Sequence, residues 1–174
     1  METIAIYWEP IIKTYGFQEK AGLALGRLTF PLAYTAEWGQ RIAAMADSVD
    51  SFLLAIAQPV DGKTLQLNLL LEGQGLVRIG RRLDQGSAEN PPAQLEMISP
   101  VELLYFQGPH FGDRYGIAAA AWTALSRGSV PVLALACTGA SVYLILPEGK
   151  TKAARAALGE AFAAPEPAKG DQRS

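Results

Sequence analysis

Between residues 23 and 30, in Leu-Ala-Leu-Gly-Arg-Leu-Thr-Phe, apolar positions alternate loosely with small or polar ones up to Pro31. This is the period of a strand closed by a proline. Glu19-Lys20-Ala21-Gly22 reads as a turn and residues 11–17 as another short β run, so the two runs are expected to form a hairpin. From Thr35 the period lengthens: Trp38, Ile42, Met45 and Val49 are spaced by four, three and four residues, which places them on one face of a helix. Thr35 is its expected N-cap. Residues 52–57 and 65–71 read as strands joined by Asp61-Gly62, a strong hairpin signal. Residues 74–83 carry Leu76, Ile79 and Leu83 at helical spacing, and a polar, proline-containing stretch follows through Pro92.

The second half repeats this order. Leu95-Glu96-Met97-Ile98 and residues 101–106 are apolar β runs parted by Pro100, and a glycine-bearing loop follows over 108–115. Residues 116–125 are alanine-rich and apolar nearly all round, which predicts a helix packed closely on a sheet, with Gly128 as its stop. Residues 130–137 and 141–146 read as strands flanking Thr138-Gly139-Ala140. Thr151 is the expected cap of a helix through Phe162, with Ala154, Leu158 and Ala161 inward. Residues 164–174, rich in Pro, Lys and Gly, read as a disordered tail. Both halves therefore spell strand, helix, strand, strand, helix. The expected class is α+β, with two tandem ferredoxin-like βαββαβ units over 1–86 and 94–163 and a linker over 87–93. The second copy lacks a closing strand and the first has one too many, so strand exchange is expected, with residues 11–17 completing the second unit's sheet.

Apolar residues make up 49% and charged residues 18% of the 174, which is a globular composition. A net charge of −2 without any run of Lys or Arg removes the basic stripe that nucleic acid needs. The first residues lack a basic leader, and no stretch approaches the ~20 apolar residues of a membrane span. A single cysteine, Cys137, excludes an internal disulfide and a cysteine metal cluster, and agrees with a reducing, cytoplasmic setting.

The loop Gly112-Asp113-Arg114-Tyr115-Gly116-Ile117-Ala118 resembles the Asp-Arg-Pro-Gly-Val-Ala loop of ACT domains in aspartate kinases, with Tyr115 where that family usually has proline. The similarity continues through Val130-Pro131-Val132-Leu133, through Cys137-Thr138-Gly139-Ala140-Ser141-Val142 and into Leu158-Gly159-Glu160-Ala161-Phe162, and covers about residues 95–162. The first half is similar in its order of elements, in Gln58 and in Asp61-Gly62-Lys63-Thr64. It departs at Pro31-Leu32-Ala33-Tyr34-Thr35, which lacks the Asp and Gly of the family loop, and at Pro59, where asparagine is common. No segment resembles the kinase's nucleotide-binding parts. The resemblance therefore implies a regulatory, amino-acid-binding protein without catalysis, working as a homodimer or on a partner enzyme of amino-acid metabolism. A structural dimerisation or adaptor protein that has lost its effector is the alternative.

The residues themselves give the loop a chemistry. A helix opening at Gly116 presents unpaired N–H groups and a positive dipole end, which suit a carboxylate. Asp113 either pairs with an ammonium group or caps the helix. Thr138 and Ser141 project from the same edge and offer hydroxyls, or bond within their own turn. The candidate ligand-binding residues are His110, Phe111, Gly112, Asp113, Arg114, Tyr115, Gly116, Ile117, Thr138 and Ser141. Other chemistries fare worse. Gly73-Gln74-Gly75 is followed next by Gly80, so the dinucleotide spacing fails and no cofactor is expected. His110 and Cys137 are each the only residue of their type, too few for a metal site and a weak basis for a nucleophile and base, with Asp113 the one orienting carboxylate. Trp38 and Trp122 sit in helical patterns, where packing explains them.

Overall fold

The structure is a computed structural model and describes residues 11–46, 52–72, 75 and 92–164. The chain divides into two compact units. One is Lys20–Glu102, and the other joins Met1–Glu19 to Leu103–Ser174, so the first is inserted in the second.

In the Lys20–Glu102 unit, strand β2 (Phe17–Pro31) leads through a short 3-10 turn (Leu32–Tyr34) into helix α1 (Thr35–Ala46). Strands β3 (Phe52–Pro59) and β4 (Thr64–Glu72) follow, and the unit closes with the first part of β5 (Gln94–Gln107). Their order is β3-β4-β2-β5. β4 runs antiparallel to both neighbours, with Leu28 opposite Leu67 on β2 and Ile56 opposite Asn68 on β3. Alternation then sorts the side chains. Ala24, Leu28 and Phe30 of β2 and Leu65, Leu67, Leu69 and Leu71 of β4 face Trp38, Ile42 and Met45 of α1. Trp38 is 2% exposed and stacks obliquely on Phe30, ring centres 5.8 Å apart. The face predicted from residues 38, 42 and 45 is the packed one; Val49 lies outside the described residues.

The other unit contains β1 (Ile12–Lys13), the end of β5, helix α2 (Ile117–Arg127), β6 (Ala134–Thr138), β7 (Ser141–Pro147), helix α3 (Thr151–Leu158) and β8 (Phe162–Ala163). β7 lies between β5 and β6. β6 and β7 are antiparallel across the turn at Gly139-Ala140, with Thr138 opposite Ser141. Leu104 and Phe106 of β5 and Val142, Leu144 and Leu146 of β7 pack on Ile117, Ala121 and Leu125 of α2 and on Ala154 and Leu158 of α3. Alanine on both helices permits close approach: a Cβ on Gly128 would lie 2.8 Å from that of Ala157. β1 pairs in parallel with β8, Ile12 opposite Phe162, as a two-stranded sheet of its own, so β1, from the segment expected over 11–17, pairs within this unit but does not join the sheet of β5, β7 and β6.

Several elements differ from the sequence reading. Glu19-Lys20-Ala21-Gly22 is not a turn but part of the continuous β2, which absorbs Gly22 at φ 72°, so the expected hairpin across it does not form. β5 likewise runs through Pro100 unbroken. Thr35 and Thr151 stand as the first helical residues, one place inside the expected caps; Lys150 occupies the cap position of α3 without a side-chain bond. Thr35 instead donates its hydroxyl to Leu32 O at 2.6 Å. The strand expected from residue 130 begins at Ala134, and a short strand, β8, follows α3 where none was read. The helix expected over 74–83, apart from Gly75, most of the linker and the tail from residue 165 lie outside the described residues.

Candidate functional site

β5 ends at Gln107, and the next residue sets the course of the loop. A Cβ on Gly108 would lie 2.2 Å from Lys13 O and 2.5 Å from Phe111 Cε1, so only glycine lets the chain pass there. His110 takes the left-handed conformation, φ 62°, and turns the chain into a single 3-10 turn, Phe111–Asp113. Phe111 points inward. It is 5% exposed and meets Phe106 edge-on at 6.0 Å and Phe162 at 6.5 Å. The loop is thus pinned by one buried ring while its polar residues stay outside.

Asp113 is on that outer side, its side chain 82% exposed, with Oδ2 3.7 Å from His110 Nδ1. Arg114 continues in extended conformation and Tyr115 is fully exposed. Gly116, at φ 85°, occupies the cap position of α2, and no side chain caps the helix. The first helical bond is Ala120 N–H to Gly116 O at 2.8 Å, so the N–H groups of the opening turn point out of the helix end without an intrahelical acceptor. Ile117, 3% exposed, anchors that turn in the core. Of the two roles read for Asp113, helix capping is therefore not the one it plays.

The second segment, the β6–β7 turn, comes beside the loop. A Cβ on Gly112 would stand 3.4 Å from Gly139 O, ordinary contact distance between two backbones. Thr138 directs its hydroxyl to Ser141 O at 3.5 Å, a long bond that keeps both residues at the turn's base. The structure thus brings the loop and the β6–β7 turn into contact at Gly112 and Gly139. Sequence reasoning placed Gly108 and Gly139 in the loop and the turn but not among the site residues; their part is close backbone approach, which no side chain signals.

Cys137 is exposed, yet partial burial raises its thiol pKa above the ordinary value of 9.0, which disfavours a thiolate nucleophile at neutral pH. Among the described residues no three His, Cys, Asp or Glu side chains gather where a metal ion could be held, and no helix is long and apolar enough to cross a membrane.

No family model matches the chain, and no curated protein matches it by sequence. Solved structures do. The chain is similar to the regulatory subunit of aspartate kinase from Thermus thermophilus in its ligand-free form, with a TM-score of 0.71 at 14% identity over 86% of this chain and 99% of that one. It is similar to Clostridium acetobutylicum aspartate kinase, with a TM-score of 0.70 at 16% identity over 91% of this chain and 37% of that enzyme. E. coli aspartokinase III in complex with lysine and aspartate gives a TM-score of 0.55 at 9% identity, over 90% of this chain and 35% of that one. This chain has the mixed α/β fold of the regulatory subunits of aspartate kinase, over most of its length.

Proposed function

We propose that this chain is a regulatory protein of two ACT-type βαββαβ modules that binds a small amino acid at residues 110–117, 138 and 141. It works without catalysis, as a homodimer or on a partner enzyme of amino-acid metabolism. The observation that carries this reading is the approach of Gly112 to Gly139 beside the uncapped opening of α2, in a chain with the fold of an aspartate kinase regulatory subunit. The chemistry fits a zwitterion. Opening-turn N–H groups and the helix dipole favour its carboxylate, and the exposed Asp113 carboxylate favours its ammonium group. The complex of E. coli aspartokinase III with lysine and aspartate supports an amino acid as the ligand class.

A thermal-shift screen of the protein amino acids, followed by calorimetry, tests the reading, because a ligand of the native state raises apparent stability. At least one amino acid is expected to bind. If none binds at millimolar concentration, sensing fails and the adaptor reading replaces it. That second reading is favoured by the first half of the chain, where Pro31 leads through a glycine-free 3-10 turn straight into α1.

A further inference from the structure

The loop of the candidate site meets residues 12–16 at its first residue, Gly108. Residues 12–16 form a strap across it. On one side Lys13 O faces Gly108 so closely that a methyl group there would stand 2.2 Å away, and a backbone oxygen cannot rotate aside as a side chain can. On the other side these bonds tie the strap to β8 and to the end of β5. Ile12 N–H donates to Ala161 O at 2.9 Å, Thr14 N–H to Ala163 O at 2.9 Å and Tyr15 N–H to Gln107 O at 2.8 Å. The Thr14 hydroxyl, on a residue only 4% exposed, donates to Ala163 O at 3.2 Å and accepts from Gly16 N–H at 3.3 Å. β1 has two residues, and its flanks Ile11 and Tyr15 are exposed. Ile12, 6% exposed in the core, is the strap's apolar anchor, and a ladder this short is expected to open at lower free energy than the core strands.

The contacts close a circuit. The strap touches Gly108, Gly108 touches the Phe111 ring, Phe111 packs on Phe162, and Phe162 is the β partner of Ile12. Phe111 is also the buried anchor of the loop that carries Asp113. We propose that the strap and the site loop form one switch element: holding the loop tightens the strap, and releasing the strap loosens the loop. The coupling is reciprocal, since two groups that share one opening equilibrium bias it by the same free energy. The ligand's identity rests on the amino-acid reading above; the coupling does not.

Two variants test it from opposite sides by amide hydrogen exchange on the full chain. Thr14→Val keeps the shape and removes both hydroxyl bonds. It is expected to speed exchange at Ile12 and Tyr15 by about tenfold, and to speed exchange at Asp113 in the loop and shift the Phe111 ring resonances, with β4 amides unchanged. Gly108→Ala should give the same pattern from the loop side. Strap amides that speed up while Asp113 and Phe111 hold their values would overturn the proposal. Any amino acid found to bind should slow exchange at Ile12 and Tyr15, and Gly108→Ala should weaken it by about tenfold; unchanged strap rates in the bound state overturn the coupling. If no amino acid binds, sensing falls, and the two variants alone decide the coupling.

Discussion

Asp113 holds its carboxylate near the surface, 3.7 Å from His110 Nδ1 and three residues before the glycine in the cap position of α2. With no capping bond to lose, Asp113→Ala is expected to change the unfolding free energy by less than about 0.5 kcal/mol. Amino-acid affinity should instead fall by about 1.5–3 kcal/mol, the worth of a charge-assisted hydrogen bond. Urea unfolding and calorimetry on the one variant check both, and a stability loss of about 1 kcal/mol with intact affinity would contradict the assignment. Cys137 gives a second residue-scale expectation. Partial burial holds its pKa above 9.0, so the folded state keeps its proton more tightly than the unfolded chain. Its effect on stability is therefore present below the unfolded pKa and lost as pH rises through the folded one. A disulfide reagent at pH 7 should modify Cys137 more slowly in the native protein than in urea.

At the scale of elements, the β3–β4 hairpin shows a turn that local chemistry specifies. Asp61 Oδ1 accepts from Lys63 N–H at 2.7 Å and Oδ2 from the Thr64 hydroxyl at 3.3 Å. These bonds hold its carboxyl below the ordinary 3.8. The stability they contribute is present above the unfolded pKa and lost as pH falls through the lower folded value. Asp61→Ala should lower the urea midpoint at pH 7 and flatten its dependence on acid pH. Gly116 behaves differently, since its φ of 85° is a cost only to residues with a Cβ. Gly116→Ala is expected to destabilise by about 1–2 kcal/mol, measured by urea unfolding. Elements were legible where side chains encode them locally: the Asp61-Gly62 turn, the Trp38–Ile42–Met45 face, the Gly128 stop. Reading failed where a local break signal did not end the strand. Gly22 and Pro100 look like breaks, yet β2 and β5 run through both, Gly22 at a φ of 72° that glycine takes without the cost of a Cβ. The loop that carries the proposed site was legible at residues 112–117, through the Gly-Asp-Arg-Tyr-Gly-Ile run. Its depth was not, because Gly108 and Phe111 act through contact with residues distant in sequence.

At the scale of the whole molecule, each unit has its own hydrophobic core, one beneath α1 and one beneath α2 and α3. α2 buries Ala121 and Ala124 and leaves Trp122 55% exposed, and Tyr115, before its first turn, is fully exposed. Large aromatic surface of this kind is characteristic of contact with another subunit. Sedimentation at micromolar concentration is expected to give about twice the 18.6 kDa mass of one chain; a monomer would contradict the homodimer.

The pairing of Ile12 with Phe162 also sets an order of events during synthesis. A chain emerging from the ribosome delivers every residue of the inserted unit, Lys20–Glu102, before any of α2, β7 or β8 exists. That unit can pack its own core at once, whereas Ile12 and Thr14, made before it, wait for Ala161 and Ala163, made after it. The segment before the inserted unit therefore finds its place only after the residues beyond that unit are made, and until then its apolar Ile12 stays open to chaperones and proteases.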